Sequence, residues 1–404
     1  MEHIFNLEEF INKYVTKRPS SMFEQDIFLN RENLKKAIKD KSVLVIGGAG
    51  TIGSSFIYAI LPFEPSELYI VDVNENALTE LTRDVRSSAI FVPKIYVPYP
   101  MDYDAVTFKR FFKHHKGFDI VANFSAHKHV RSEKDIYSIE ALLRNNVINV
   151  KSLLDLLIEY PPQTYFCVST DKAANPVNIM GASKRIMEDL IFSYSDNFSV
   201  KTARFANVAF SNGSLPAGFL DRISKLQPLS APLDVKRYFV SPEESGQICM
   251  LAAILGNNRE IYYPKLREAQ MMRFDTIAEE LLQQHGFEIK YFDNDEDAIK
   301  WSKRLKNGEK DYPVYFSESD TFGEKLYEEF FTIDESTDED RYQALGVIIN
   351  KPIPDRNKIK NLLDDLSRAF ESNHISKDEV VQILASYLDN FKHIEKAKSL
   401  DQKM

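Results

Sequence analysis

Cysteine is almost missing from this chain of 404 residues: Cys167 and Cys249 are the two that occur. Two thiols cannot build a disulfide framework, and no Cys/His group has zinc spacing, so no metal is expected. A basic excess is lacking too. Lys plus Arg number 51 against 60 Asp plus Glu, a net charge of -9, which argues against a nucleic-acid partner gripped by bulk charge. No run reaches the roughly 18 apolar residues of a bilayer span, so no membrane span is expected. Met1 to Phe10 carries Glu2, Glu8 and Glu9 rather than a basic stretch followed by an apolar one, which is not a secretory signal. The expected location is the cytoplasm. What is present is apolar substance: 44% of residues are hydrophobic, enough for a sizeable core. The length allows two or three domains at about 150 residues each.

Residues 1–40 contain no glycine and read as a charged, helical N-terminal extension. At Lys41 the pattern changes. Ser42–Ile46 is a short continuous apolar run, as in a strand buried on both faces, and it leads into a glycine turn and a helical stretch from Ser54 to Leu61. Strand-like runs recur at Glu67–Val71, Lys94–Val97, Asp119–Phe124, Thr164–Val168 and Val200–Phe205, mostly separated by helical patterns. This alternation predicts an α/β fold, a doubly wound parallel sheet of Rossmann type, over 41–207. Residues 208–350 are expected to form mainly a smaller substrate-binding lobe, with elements returning to the sheet near 240–263. Residues 351–404 predict a helical pair: Ile359, Leu362, Leu363, Leu366 and Phe370 share one face, and Ser376 with Glu379 fits a capping box before the second helix.

Gly47, Gly50 and Gly53 form a G-x-x-G-x-x-G turn between a strand and a helix. Such a turn lets backbone approach a pyrophosphate at a helix N-terminus, and Thr51 and Ile52 within it are candidate cofactor contacts. Asp72 closes the next strand, nineteen residues beyond Gly53, where an acid binds ribose hydroxyls and repels a 2′-phosphate. The expected cofactor is therefore NAD rather than NADP. Asp102, after the third strand, is a candidate adenine contact, with a solvated loop acid as the equal alternative.

The most informative stretch runs from Val168 to Lys184, starting where an open α/β sheet places its ligands, at a strand's C-terminal end. Thr170, Asp171 and Lys172 put a hydroxyl, an acid and a base in consecutive positions. Met180 and Lys184 are four apart and share a helix face. Many short-chain dehydrogenase/reductases carry a Tyr base four residues before that Lys. Methionine has no proton to exchange. Either the chain binds NAD without turnover, or acid–base work has moved to Thr170, Asp171 and Lys172. The second reading is preferred, because an exposed Asp-Lys pair at a strand tip has no packing purpose.

On these residues the chain resembles the extended short-chain dehydrogenase/reductases that act on nucleotide-sugars. More narrowly, it resembles the bacterial UDP-N-acetylglucosamine 4,6-dehydratases of polysaccharide biosynthesis. The matching pieces include Gly47–Gly53, Ala126–Val130, Asn146–Lys151, Ser169–Lys184, Arg204–Val208, Gly213–Pro216, Lys236–Phe239, Tyr263–Lys265 and Gly323–Glu329, in the family's order. The resemblance implies the Met type, associated with retained configuration at carbon 5. It implies Lys172 as the carbon 5 base, Asp171 as the acid for the departing 6-hydroxyl, and Thr170 facing the 4-hydroxyl. Lys184 would bind the nicotinamide ribose, and Ala126 would lie beside the cofactor. A neutral Lys172 is required, through burial or the nearby cation Lys184. Lys128, Asn207 and Arg237 are candidate substrate-binding residues. His127 and His129 are expected to pack or hydrogen-bond rather than catalyse, and Tyr327, Glu328 and Glu329 match the family without an assigned chemical role.

Ile46, Phe124-Ser125 and Phe210-Ser-Asn212 depart from the family pattern, and the last two leave the identity of the sugar open. Relatives pair helices corresponding to Ala141–Tyr160 and Ile179–Tyr194 into a dimer seam, so a homo-oligomer is expected. The alternatives are a UDP-sugar 4-epimerase and a non-catalytic NAD-binding interaction protein. The Asp171-Lys172 dipeptide favours the dehydratase, because epimerases usually place small hydroxyl residues there.

Overall fold

The computed structural model describes residues 5–129, 133–318, 328–372, 374–389 and 391–393. Ser42–Ile46 lies between Glu67–Asp72 and Ile120–Asn123, parallel to both. Alternate residues of this strand face opposite layers, as strand geometry requires. Leu44 and Ile46 join one apolar cluster, and Val43 and Val45 join the other. Helices therefore cover both faces.

Among the described residues the sheet has nine strands, in the order Thr337–Asp338, Leu345–Ile348, Glu260–Pro264, Val200–Ala203, Thr164–Val168, Ile120–Asn123, Ser42–Ile46, Glu67–Asp72 and Ile95–Pro100. All run in one direction except Leu345–Ile348, which is antiparallel to both of its neighbours. Sequence order reverses at Ser42–Ile46, which opens a crevice at its C-terminal end, the ordinary ligand position of a doubly wound sheet. The fold expected from the alternation is the one observed.

Several details differ. The helix after the glycine turn starts at Thr51, not Ser54, because Gly50 is its N-cap. The third strand continues through Pro98 to Pro100; it pairs on one side only, where a missing N–H is tolerated. Besides Glu260–Pro264, the strands Thr337–Asp338 and Leu345–Ile348 also return to the main sheet. A smaller parallel sheet joins Glu288–Tyr291, Asp311–Ser317 and Leu229–Pro232.

The N-terminal helices are bound into this body. Phe10, Ile11 and Val15 share a core with Phe219, Leu229 and Tyr312, whereas Phe23, Leu34 and Ile38 pack below the main sheet. Arg18 forks onto the buried Glu244 carboxylate, with Nη2 2.6 Å from Oε2.

At the other end, Arg356–Glu371 and Lys377–Tyr387 form two helices. Of the expected capping box, Ser376 Oγ accepts from Glu379 N at 3.2 Å. The pair lies on the helices Ile136–Leu143, Asn149–Glu159 and Ile179–Phe192: Leu362, Leu366, Phe370 and Leu384 join Leu142, Leu153, Ile186 and Leu190 in one cluster. Tyr387 donates to Asp189, and the Arg144 guanidinium lies over the Phe370 ring. The chain's own C-terminal helices thus contact the helices on which the homo-oligomer expectation rested. Among the described residues, no helix is long and apolar enough to cross a membrane.

Candidate active site

The glycine turn is built for a ligand that needs bare backbone. At Gly47, φ is +70°, and a Cβ there would lie 2.6 Å from Ser125 N and 2.8 Å from Phe124 C. A Cβ on Gly53 would meet the Gly47 carbonyl. Gly50 caps the helix without a side-chain hydrogen bond, so the first-turn N–H groups of Thr51 and Ile52 stay available to an anion. Thr51 Oγ1 accepts from Asn212 N at 3.0 Å, tying the turn to the loop before the Leu215–Ser224 helix. Asp72 ends its strand with Oδ2 accepting from Ala49 N at 3.0 Å and Oδ1 from Asn74 N at 2.9 Å. Its carboxylate therefore sits at the mouth of the turn, and these residues fit a dinucleotide. Asp102 is exposed, and its Oδ1 accepts from Asp104 N at 2.9 Å, which closes a local turn.

Two strands away, Thr164–Val168 ends at the candidate acid–base residues. Thr170 Oγ1 donates to Asp171 Oδ1 at 2.7 Å, and Lys172 Nζ lies 3.2 Å from the same oxygen. Asp171 is buried, not exposed as the sequence suggested, while the Lys172 side chain is partly open. The Ile179–Phe192 helix carries Met180 and Lys184, both buried. Met180 N donates to Glu133 Oε1 at 2.9 Å, and Lys184 Nζ donates to Val168 O at 2.9 Å. Burial pulls Lys184 downward.

Lys172 behaves otherwise. Burial favours its neutral form, but the charges of Asp171 and Glu328 outweigh burial and raise its proton affinity, with Arg237 opposing them. The expectation of a lowered Lys172 is therefore corrected: this state holds an ammonium, and the facing cation is Arg237 rather than Lys184.

Asn207 and Arg237 come to the same place through two short ladders. Asn207–Val208 pairs with Phe239–Val240, and Lys236–Arg237 pairs with Met272–Arg273. Asn207 Nδ2 donates to Glu328 Oε1 at 2.6 Å, and Tyr238 N donates to Glu328 Oε2 at 2.9 Å. Burial, followed by the Asp171 charge, pushes the Glu328 carboxyl upward. Glu328 is the site residue whose chemistry sequence reasoning missed; its family match was the available signal. Glu329 accepts from Asn175 Nδ2 at 2.9 Å. Val130 and the stretch from Gly323 to Tyr327 lie outside the described residues.

Ala126 is half-buried and Lys128 exposed, both on the loop after Ile120–Asn123. That loop is fastened by Asn146, which sits in a π-turn, accepts from His127 N at 2.9 Å, and donates to His127 O at 2.9 Å and Ser183 Oγ at 3.0 Å. His127 is exposed as a residue, and its backbone is held on both sides by Asn146. Among the described residues no His/Cys/Asp/Glu group could hold a metal.

A glycine turn at the strand-order reversal, two strands from the Thr170–Lys172 strand tip, is how extended short-chain dehydrogenase/reductases are built, and this chain has that fold. The chain belongs to the family described as polysaccharide biosynthesis protein, whose model matches residues 43–349. It is 30% identical over 266 residues to an uncharacterized membrane protein of Methanocaldococcus jannaschii, covering 63% of this chain and 76% of that one. It is 27% identical to the probable polysaccharide biosynthesis protein EpsC of Bacillus subtilis over 74% of this chain, and it spans 49% of that relative's length. A UDP-N-acetylglucosamine 4,6-dehydratase (inverting) of Campylobacter jejuni matches at 24% identity over 56% of this chain and 67% of its own. A UDP-glucose 4-epimerase of Rickettsia canadensis matches at 26% over 56% and 66%. Among solved structures, Pen from Bacillus thuringiensis superposes with a TM-score of 0.63 at 21% identity, covering 87% of this chain and 98% of that one. WbmF of Bordetella bronchiseptica, in complex with NAD+ and UDP, gives 0.51 at 15% identity over 62% and 80%.

Proposed function

We propose that the chain is an NAD-dependent nucleotide-sugar 4,6-dehydratase that acts in the cytoplasm on a UDP-sugar, UDP-N-acetylglucosamine, for surface polysaccharide or glycan synthesis. The observation that carries this reading is the Thr170–Asp171–Lys172 contact chain at the strand tip, beside a Met180 that has no proton to give. An epimerase needs no acid for a 6-hydroxyl; here a buried acid and a lysine stand together.

Gly47, Gly50, Gly53, Thr51, Ile52 and Asp72 would hold the dinucleotide, with Ala126 and Lys184 toward its nicotinamide end. Bound there, the dinucleotide would supply the hydride acceptor for sugar carbon 4 and the hydride donor for carbon 6. Thr170 passes the 4-hydroxyl proton to Asp171 along its 2.7 Å contact. Asp171 then gives that proton to the departing 6-hydroxyl, which leaves as water. Lys172 first releases its ammonium proton to solvent, then as a free amine takes the carbon 5 hydrogen as a proton, returns it to carbon 5, and regains its own proton from solvent. Both residues finish as they began. Arg237 and Asn207 face the substrate's polar groups, and Lys128 guards the crevice loop.

The test is direct. Purified protein incubated with UDP-N-acetylglucosamine is expected to form the 4-keto-6-deoxy sugar by NMR. Conversion to the 4-epimer would establish the epimerase, and no conversion with retained NAD would establish a binding protein; either result defeats the proposal.

A further inference from the structure

The C-terminal extension lies beyond residue 349, where the family match ends, yet it reaches the helix that carries Met180 and Lys184. Phe391 is buried in the same apolar cluster as Ile186 and Leu190 of that helix, and its N–H donates to Leu388 O at 2.9 Å. This anchor delivers His393 to Glu133. The imidazole Nε2 lies 3.5 Å from Glu133 Oε2, and the two side chains are 9% and 8% exposed.

Glu133 is engaged on its other oxygen as well. Its Oε1 accepts from Met180 N at 2.9 Å, and Asn178 Oδ1 accepts from Gly181 N at 2.8 Å. Two first-turn N–H groups of the Ile179–Phe192 helix are thereby satisfied, one by the helix's own cap and one by a carboxylate from the segment before Ile136–Leu143. That turn rests on the acid–base residues: a Cβ on Gly181 would lie 2.7 Å from Lys172 O. The placement of the turn therefore fixes the Lys172 backbone and the point from which the Met180 side chain projects. A buried carboxylate keeps its place only where donors or opposite charge meet it.

We propose that His393 is a positioning residue for the active site: by meeting Glu133 Oε2 it fixes the carboxylate that caps Met180 N, and so sets the helix turn against which Lys172 is placed. The C-terminal extension is then a working part of the site as well as packing for a helix face. Its effect on turnover rests on the dehydratase reading; its hold on the Met180 amide does not.

The experiment is amide hydrogen exchange of the full-length protein read by mass spectrometry, with the Met180 amide resolved by fragmentation. His393→Ala is expected to speed exchange at Met180 by about tenfold, as for loss of one buried hydrogen-bond partner, and to leave the Arg356–Glu371 helix at its wild-type rate. His393→Gln presents an N–H at similar reach and is expected to restore protection, so the outcome does not hang on one variant's folding. Lys392→Ala, at an exposed neighbour, should match wild type. In a Glu133→Gln background, adding His393→Ala should change little more, because the two residues act through one contact. In turnover, His393→Ala should lower kcat while KM and bound NAD stay as they were. Unchanged Met180 exchange in His393→Ala, equal loosening of the Arg356–Glu371 helix, or an undiminished effect in the Glu133→Gln background overturns the proposal. So does a His393→Gln no better than His393→Ala, or an equal effect of Lys392→Ala. A wild-type protein that makes no 4-keto sugar overturns the dehydratase reading, and hydrogen exchange still decides the role of His393.

Discussion

Arg204 Nη2 lies 2.6 Å from Glu188 Oε2, and neither side chain is more than 1% exposed. The same glutamate accepts Ser169 Oγ at 2.6 Å, one residue before Thr170. Arg204 also reaches Glu335 at 2.7 Å and Phe330 O at 2.9 Å. One buried cation therefore joins the end of a central strand, the helix bearing Lys184 and the segment that follows Glu328. Arg204→Met would strand the buried Glu188 carboxylate while Glu335 keeps Lys351 and Arg185, and breaking such a buried pair costs about 3–5 kcal/mol. A large drop in thermal midpoint is expected, with partial recovery when Glu188→Leu is added. A midpoint unchanged in Arg204→Met would contradict this account.

Glu335 predicts a pH dependence. Burial would raise its carboxyl, but Arg204, with Lys351, holds it down to about 2 from an ordinary 4.5. A folded value below the unfolded one stabilises the fold above the unfolded value, and that stability is lost as pH falls through the folded one. Glu335→Gln should therefore be less stable than wild type at pH 7, and the gap should close between pH 4.5 and about 2. Urea midpoints along that range provide the check; a constant gap would count against it.

The glycine turn gives a contrast between neighbours. At Gly47 an alanine would have φ +70° and a Cβ 2.6 Å from backbone, whereas at Gly50 the nearest atom is 3.4 Å away. Relief of about 1–3 kcal/mol of strain by moving the turn out of its binding geometry in Gly47→Ala corresponds to about a 5- to 150-fold loss of NAD affinity. Gly50→Ala should lose much less. Acid-quenched extracts assayed for nicotinamide nucleotide test the pair, beginning with wild type, which is expected to purify with NAD.

At the strand tip, Lys172→Ala should keep NAD and lower dehydration by about 10²–10⁴, the usual effect of removing a general base. Asp171→Asn should fail at loss of the 6-hydroxyl, and Thr170→Val at hydride removal. Met180→Leu keeps an apolar side chain of similar size and should be mild. Solvent deuterium entering carbon 5 during partial turnover reports Lys172. Near-normal dehydration in Lys172→Ala, with activity abolished in Met180→Leu, would reverse the assignment.

The sequence by itself determined the succession of strands, the glycine turn, Asp72 and the Thr170–Lys172 tip, because each is written within a few neighbouring residues. The C-terminal helices were legible for the same reason: Ile359 to Phe370 repeat at the helical period. Tertiary structure alone decided what surrounds them. Glu328 meets Asn207 across 121 residues of chain, and no local pattern records that a distant acid will be buried against a lysine. The raised proton affinity of Lys172 comes first from its neighbour Asp171 and then from Glu328, since charge state depends on the sum of burial and neighbouring charges. Tertiary structure likewise decided the fate of the Ile179–Phe192 helix, whose apolar face the sequence declared and whose partner, the chain's own C-terminal pair, only packing selected.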